Sequence, residues 1–229
     1  MLNNYNEFID FYTKEITGTG YLAFRDLHMI LTQPYQKEIL DFGCGAGRST
    51  MYLMKLGFNV TGVDIDHSMI EKAKSTVGDC NFFHISNNTI PFESGTFDVI
   101  FNSFVLFDLS STTKIISCVR EMKRVCKDNG RIISIVNSDH LFNKNWLTVK
   151  NDFPQNQNLK SGDIARLFLS DINVDIYDHY WTHKDYMNCF ESVGFKAINR
   201  FEPLGNINDP YSWLDEALYP PYSIYICEI

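Results

Sequence analysis

Apolar and polar positions along the chain alternate between short apolar runs and longer stretches with helical spacing. Lys37 to Phe42 (KEILDF) predicts a first strand that ends in a glycine-rich turn. Arg48 to Leu56, apolar at Met51, Met54 and Leu56 before Gly57, predicts a short helix. A second strand is expected at Phe58 to Val63, a second helix at Ser68 to Ser75 and a third strand at Cys80 to Ile85. Phe97 to Asn102 (FDVIFN) is apolar enough for a strand buried on both faces. Thr112 to Cys126 repeats Ile115, Ile116, Val119, Met122 and Val125 at helical spacing, with Asn129-Gly130 as its stop. Arg131 to Val136 (RIISIV) predicts the fifth strand.

After the fifth strand the rhythm breaks. Residues 138 to 170 are polar, with Asn-rich and Pro-containing stretches, and read as an insertion. Asn173 to Trp181 alternates Val174 and Ile176 with Asp175 and Asp178, as an edge strand of that insertion would. Lys184 to Val193 predicts a helix stopped by Gly194, and Lys196 to Phe201 and Ser223 to Cys227 predict two last strands. The expected fold class is therefore α/β, a Rossmann-like, doubly wound and mostly parallel sheet with a cap inserted after the fifth strand.

Composition narrows the function classes. At 229 residues and 45% hydrophobic, the chain has room for one domain with a sizeable core. A formal net charge of −8 argues against a partner held by phosphate contacts, so no nucleic acid is expected. The basic stretch Arg120 to Arg131 also carries Glu121 and Asp128 and reads as a solvated helix face. Six cysteines lie scattered without paired CxxC spacing, which suits reduced thiols and no metal site. The start MLNNYNEFIDFY lacks a basic end and a continuous apolar run, and no apolar stretch approaches the ~20 residues that span a bilayer. The expectation is a cytoplasmic protein without a membrane partner.

The sharpest chemical signal is Ile39 to Thr50, ILDFGCGAGRST, in which a strand runs into Gly43, Gly45 and Gly47 and then into a helix. Glycines there allow a tight turn and let the backbone approach a ligand closely. The spacing is G-x-G-x-G with Arg at position 48, so the dinucleotide fingerprint of NAD enzymes is not met. Asp64, ending the second strand in VTGVDID, can accept both hydroxyls of a ribose.

These stretches, with VTGVDIDHSMIEKAK, TIPFESGTFDVIFNSFVLFDL and EMKRVCKDNGRIISI, resemble the class I S-adenosylmethionine-dependent methyltransferases of the broad small-molecule kind. The resemblance covers residues 20 to 136 and implies a single methyltransferase domain with a seven-stranded sheet. Its parts would be an N-terminal helical lid (1–36), a cofactor-binding core (37–137), the cap (138–181) and the end of the sheet (182–229). It further implies S-adenosylmethionine as cofactor, S-adenosylhomocysteine as product, and methyl transfer to O, N or C of a small-molecule acceptor. A non-catalytic module that binds the cofactor, or an enzyme acting on RNA or protein, are the alternatives.

Carried over by position, the loop of Asp41, Gly43, Cys44 and Gly45 should face the methionine part of the cofactor. Asp64 should hold the ribose, and Ile65 and Met69 should sandwich the adenine. Where the family usually has Asp before a small residue, this chain has Ser86-Asn87 to meet the adenine amino group. Asn102, with Ser103 and Phe104, should lie beside the sulfonium. Arg25 is the candidate partner for the cofactor carboxylate, since Arg suits bidentate recognition. Tyr12 and Tyr21 are placed over the cofactor, with Tyr12 also toward the acceptor. Trp146 and Trp181, with Phe153 and Trp213, are candidate walls of the acceptor pocket. If the acceptor must lose a proton, His179 in YDHYW is the candidate base.

Overall fold

The computed structural model describes residues 2–31, 37–86 and 89–229. Strands β1 (Glu38–Phe42), β2 (Asn59–Asp64), β3 (Asn81–His84), β4 (Phe97–Ser103) and β5 (Cys126–Asn137) are followed by β6 (Val149–Lys150), β7 (Ile164–Leu169), β8 (Val174–His179), β9 (Ala197–Phe201) and β10 (Tyr222–Glu228). Helices are α1 (Tyr21–Arg25), α2 (Leu27–Ile30), α3 (Arg48–Lys55), α4 (His67–Val77), α5 (Thr112–Val125) and α6 (His183–Val193). The main sheet has seven strands in the order β3-β2-β1-β4-β5-β10-β9. β1 to β5 pair in parallel, whereas β10 runs antiparallel to both β5 and β9.

Side-chain alternation explains why helices cover both faces. Ile39, Val99, Phe101, Ile133 and Ile135 join one core with Leu27 and Leu53. Leu40, Ile100, Ile132 and Val136 join the other with Val119, Met122 and Phe190 of α5 and α6. Neighbouring residues of one strand thus serve opposite layers, which requires the near-continuous apolar runs seen in the sequence. Termini are set locally: Ser111 caps α5 at the Lys114 amide, and Thr182 and Asp185 form a reciprocal capping box on α6.

The chain leaves α5 at Val125, so Asn129-Gly130 is not its stop but lies in an irregular excursion at the start of β5. The region after β5, expected to be an inserted cap with one edge strand, contains a second sheet. β6, β7 and β8 pair antiparallel in that order, and the missed strands are Val149–Lys150 and Ile164–Leu169. Before β1, the N-terminal residues Tyr5–Thr13 wind as a 3-10 segment. No helix among the described residues is long and apolar enough to cross a membrane.

Candidate functional site

At the C-terminal edge of β1 the backbone turns sharply. Gly43 and Gly45 take φ of +73° and +52°, a region that side chains rarely occupy. The Gly43 and Cys44 amides donate to the Val63 carbonyl at 2.8 and 3.0 Å, which pins the turn against the end of β2. Asp64 fixes it from the next residue. One of its carboxylate oxygens accepts the Gly45 amide at 2.8 Å, and the other accepts the Asp66 amide at 2.8 Å. Burial pushes the Asp64 carboxyl upward, and these backbone bonds oppose that shift.

Asp41 lies beneath this turn, fully buried. It accepts Ser49 Oγ at 2.7 Å and Thr50 Oγ1 at 2.6 Å, tying β1 to the first turn of α3. Burial pushes its carboxyl up to about 6 against the two hydroxyl bonds. It therefore supports the turn from below and does not line the space above.

That space is a cavity of about 820 Å³. Of the residues singled out in the sequence, Gly43, Cys44, Gly45, Asp64, Ile65, Met69, Ser86, Ser103, Phe104 and Tyr12 line it. Asn87 lies outside the described residues. Phe104 has φ +62°, so the chain leaves β4 through a strained residue whose ring meets Tyr222 at 5.3 Å.

The remaining candidates stand elsewhere, each for a physical reason. Gly20 and Phe24 line the cavity, so Tyr21 and Arg25 occupy the next face of α1. Tyr21 packs on Tyr211 and Trp213. Arg25 makes a bidentate pair with Asp26, at 2.9 and 2.7 Å, and donates to Asp209 at 2.8 Å and the Leu204 carbonyl at 2.9 Å. Its guanidinium is occupied in tying the 204–209 loop to α1.

Asn102 is fully buried in β4, donating to Ser134 Oγ at 2.7 Å, and does not line the cavity. Trp146 and Trp181 are core residues whose indoles donate to the Leu141 and Leu109 carbonyls. Phe153 stacks under Arg166, and Trp213 donates to Asp209. His179 sets Nδ1 3.2 Å from the Gly162 carbonyl and is not a cavity residue. Strand parity explains this: Val174, Ile176 and Asp178 share one face of β8, and His179 falls on the other.

The cavity brings together residues that the motifs did not point to. Arg48 stacks over the rings of Phe11 and Tyr12 at 4.4 and 4.8 Å and donates Nη2 to the Phe11 carbonyl at 2.9 Å. Its Nε is buried without a partner among the described residues, and burial lowers the guanidinium to about 10. Tyr5 donates to both oxygens of Asp108 at 3.0 and 2.9 Å. Asp178 reaches the same cavity from β8 and accepts Asn137 Nδ2 at 2.8 Å. The only available signal for these was parity, which puts a carboxylate on the apolar face of β8.

Residues 40–134 match the family model for a methyltransferase domain. An uncharacterized methyltransferase of Bacillus subtilis is 30% identical over 139 residues, which are 58% of each chain. The chain thus spans little more than half the length of that relative. N-demethylindolmycin N-methyltransferase of Streptomyces griseus is 26% identical over 188 residues, 78% of each chain. The crystal structure of an S-adenosylmethionine-dependent methyltransferase from Mesorhizobium loti is 15% identical, with a TM-score of 0.65 over 92% of this chain and 99% of that one. At that identity the likeness speaks for the fold alone. Residues 40–134 thus match a methyltransferase domain, and the strand order and the glycine-rich turn agree with the fold of the S-adenosylmethionine-dependent methyltransferases to which the chain is similar.

Proposed function

We propose that this protein transfers a methyl group from S-adenosylmethionine to a small-molecule acceptor. One observation carries the reading: a single cavity has the Gly43–Gly45 turn and Asp64 in one wall, and the N-terminal segment and the inserted sheet in another. The residues fit the cofactor in three respects. A Cβ built on Gly45 meets nothing within 4 Å, so the turn leaves open space where a ligand would lie against backbone. Each Asp64 oxygen has accepted one amide and keeps capacity for a ribose hydroxyl. Arg48 presents an unsatisfied buried Nε, a donor for the carboxylate of the amino-acid part. The volume also falls in the ~300–1,000 Å³ range of pockets for ligands of this size.

When bound, the cofactor supplies a methyl group already activated on a sulfonium. The protein's own work is then alignment and exclusion of water. Asp64 accepts the ribose hydroxyls, Ile65 and Met69 hold the adenine, and Ser86 lies toward its edge. Ser103 and Phe104 border the reacting end. Residues Tyr5–Thr13 and the strands β7 and β8 form the lid and cap over the acceptor. Arg48 takes the role that the sequence assigned to Arg25. The net charge of −8 and the carboxylates Asp108 and Asp178 in the wall disfavour a polyphosphate acceptor.

Titration calorimetry with S-adenosylhomocysteine and, separately, NAD tests the cofactor assignment. Micromolar-range binding of the first and none of the second is expected, with Asp64→Ala removing most of the affinity. NAD binding, or an Asp64→Ala variant that binds as tightly as the parent, overturns the assignment.

A further inference from the structure

The inserted sheet delivers a carboxylate into the cavity in an unusual state. Asp178 is 1% exposed, and while one oxygen accepts Asn137, Oδ1 has no hydrogen-bond partner among the described residues. Buried carboxylate oxygens are ordinarily satisfied. A second carboxylate, Asp108, shares the chamber and is bonded by Tyr5 alone among the side chains given above. Of the arginine and lysine that line the cavity, Lys114 donates to Ser110 Oγ at 2.9 Å, and Arg48 stacks on Phe11 and Tyr12 with its unpartnered Nε assigned above to the cofactor carboxylate. The chamber is thus acidic, aromatic and short of one donor.

We propose that the acceptor is a basic amine, whose ammonium group is bound and then deprotonated by Asp178, with Asp108 as the neighbouring charge. This deepens the methyl-transfer reading and rests on it. An ammonium supplies both the missing donor and the missing positive charge, whereas a hydroxyl supplies only the donor and a carboxylate neither. The rings of Tyr12, Phe104 and Tyr222 in the same wall add cation–π attraction.

The chemistry balances without any further reactant. An ammonium N–H bond breaks, the proton passes to Asp178 Oδ1, and nitrogen keeps the electron pair. That pair forms the new N–C bond, and the electrons of the former C–S bond stay on sulfur. The methylated nitrogen is again cationic, and the proton held by Asp178 passes to solvent as product leaves.

Burial, then the charge of Asp108, pushes Asp178 up to about 8, against the bond from Asn137. Burial likewise raises Asp108 to about 6, against the bond from Tyr5. Other titratable groups near Asp178 are Tyr5 and Tyr12 of the N-terminal segment, Tyr186 of α6, Tyr222 of β10 and the adjacent His179. Burial holds all four phenols above their usual value. Burial and the charge of Asp108 thus favour the protonated carboxyl of Asp178, and a bound ammonium favours its ionised form and release of that proton.

The test uses the full chain saturated with S-adenosylhomocysteine, titrated with aryl-alkyl and alkyl amines and with the alcohols and carboxylates of the same skeletons. Amines are expected to bind at least about tenfold more tightly than their alcohols. Repeating the titrations in buffers of different ionisation enthalpy should reveal a proton released on amine binding. In Asp178→Asn both the preference and the proton release should vanish, with affinity for S-adenosylhomocysteine retained. Asp108→Asn should weaken the preference with less loss of proton release, which keeps the test alive should the first variant fold poorly. Equal binding of amines and alcohols, a preference that survives in Asp178→Asn, or no amine binding across the set would overturn the proposal. Failure of the wild type to bind S-adenosylhomocysteine would instead refute the cofactor reading beneath it.

Discussion

Replacing Gly45 by Ala separates the fold from ligand binding more cleanly than any other change in the turn. The backbone cost is that of forcing a Cβ into φ +52°, roughly 1–2 kcal/mol. There is no packing cost, because the added carbon meets nothing within 4 Å. For a chain of this size about 1 kcal/mol lowers Tm by roughly 2–4 °C, so the variant should melt about 2–8 °C below the parent. The same methyl projects where we place the cofactor. At a hundredfold excess over Kd, S-adenosylhomocysteine stabilises the parent by about 2.7 kcal/mol, hence raises Tm by roughly 5–10 °C. A hundredfold loss of affinity would leave about 0.4 kcal/mol, close to no shift. Scanning fluorimetry with and without the ligand reads both quantities. Gly43→Ala is the contrasting control, since its Cβ would stand 2.3 Å from Val105 Cγ2 and so cost packing as well as strain. A Gly45→Ala protein that keeps the full ligand-induced shift would show that this turn does not face the ligand.

Other changes test the surrounding shell. The Asp41 carboxyl is raised to about 6, so its contribution to stability is complete below its unfolded value near 3.9 and is lost as pH rises through 6. Asp41→Asn can keep the bonds from Ser49 and Thr50 without that loss. Its stability relative to wild type, from urea titrations, should rise by up to about 3 kcal/mol between pH 4 and pH 7, and a flat difference refutes the buried-carboxylate account. Arg48→Met should weaken S-adenosylhomocysteine about tenfold but spare methylthioadenosine, which lacks the amino-acid part, and equal losses for both would remove Arg48 from the carboxylate. The same variant should speed amide exchange in residues 5–13, because the bond to Phe11 and the stacking on Tyr12 are gone.

What the sequence made legible follows the range over which each signal acts. The strands at Glu38–Phe42 and Phe97–Ser103, the turn between β1 and α3, and Asp64 at the end of β2 were readable because strand, turn and helix are adjacent and their chemistry is local. β7 was missed because Arg166 interrupts its apolar run; in the fold that arginine is paired with Asp175 across the hairpin, a contact that periodicity does not carry. Arg25 was assigned by residue type, but its face on α1 decides its partners, and that face turns toward Asp209, far along the chain. The part of the cavity around Asp178 is the extreme case. It gathers Tyr5 from the N-terminal segment, Asp108 from the turn after β4, Asn137 from the end of β5 and Asp178 from the inserted sheet. None of these is near another in sequence, so no spacing announces them. The inference that was open, and was misread, is parity: a carboxylate two residues beyond Ile176 belongs to the apolar face of β8, while the histidine beside it does not. A charged residue on the apolar side of a strand is costly unless something completes it, and in this fold the open side of Asp178 is the cavity itself.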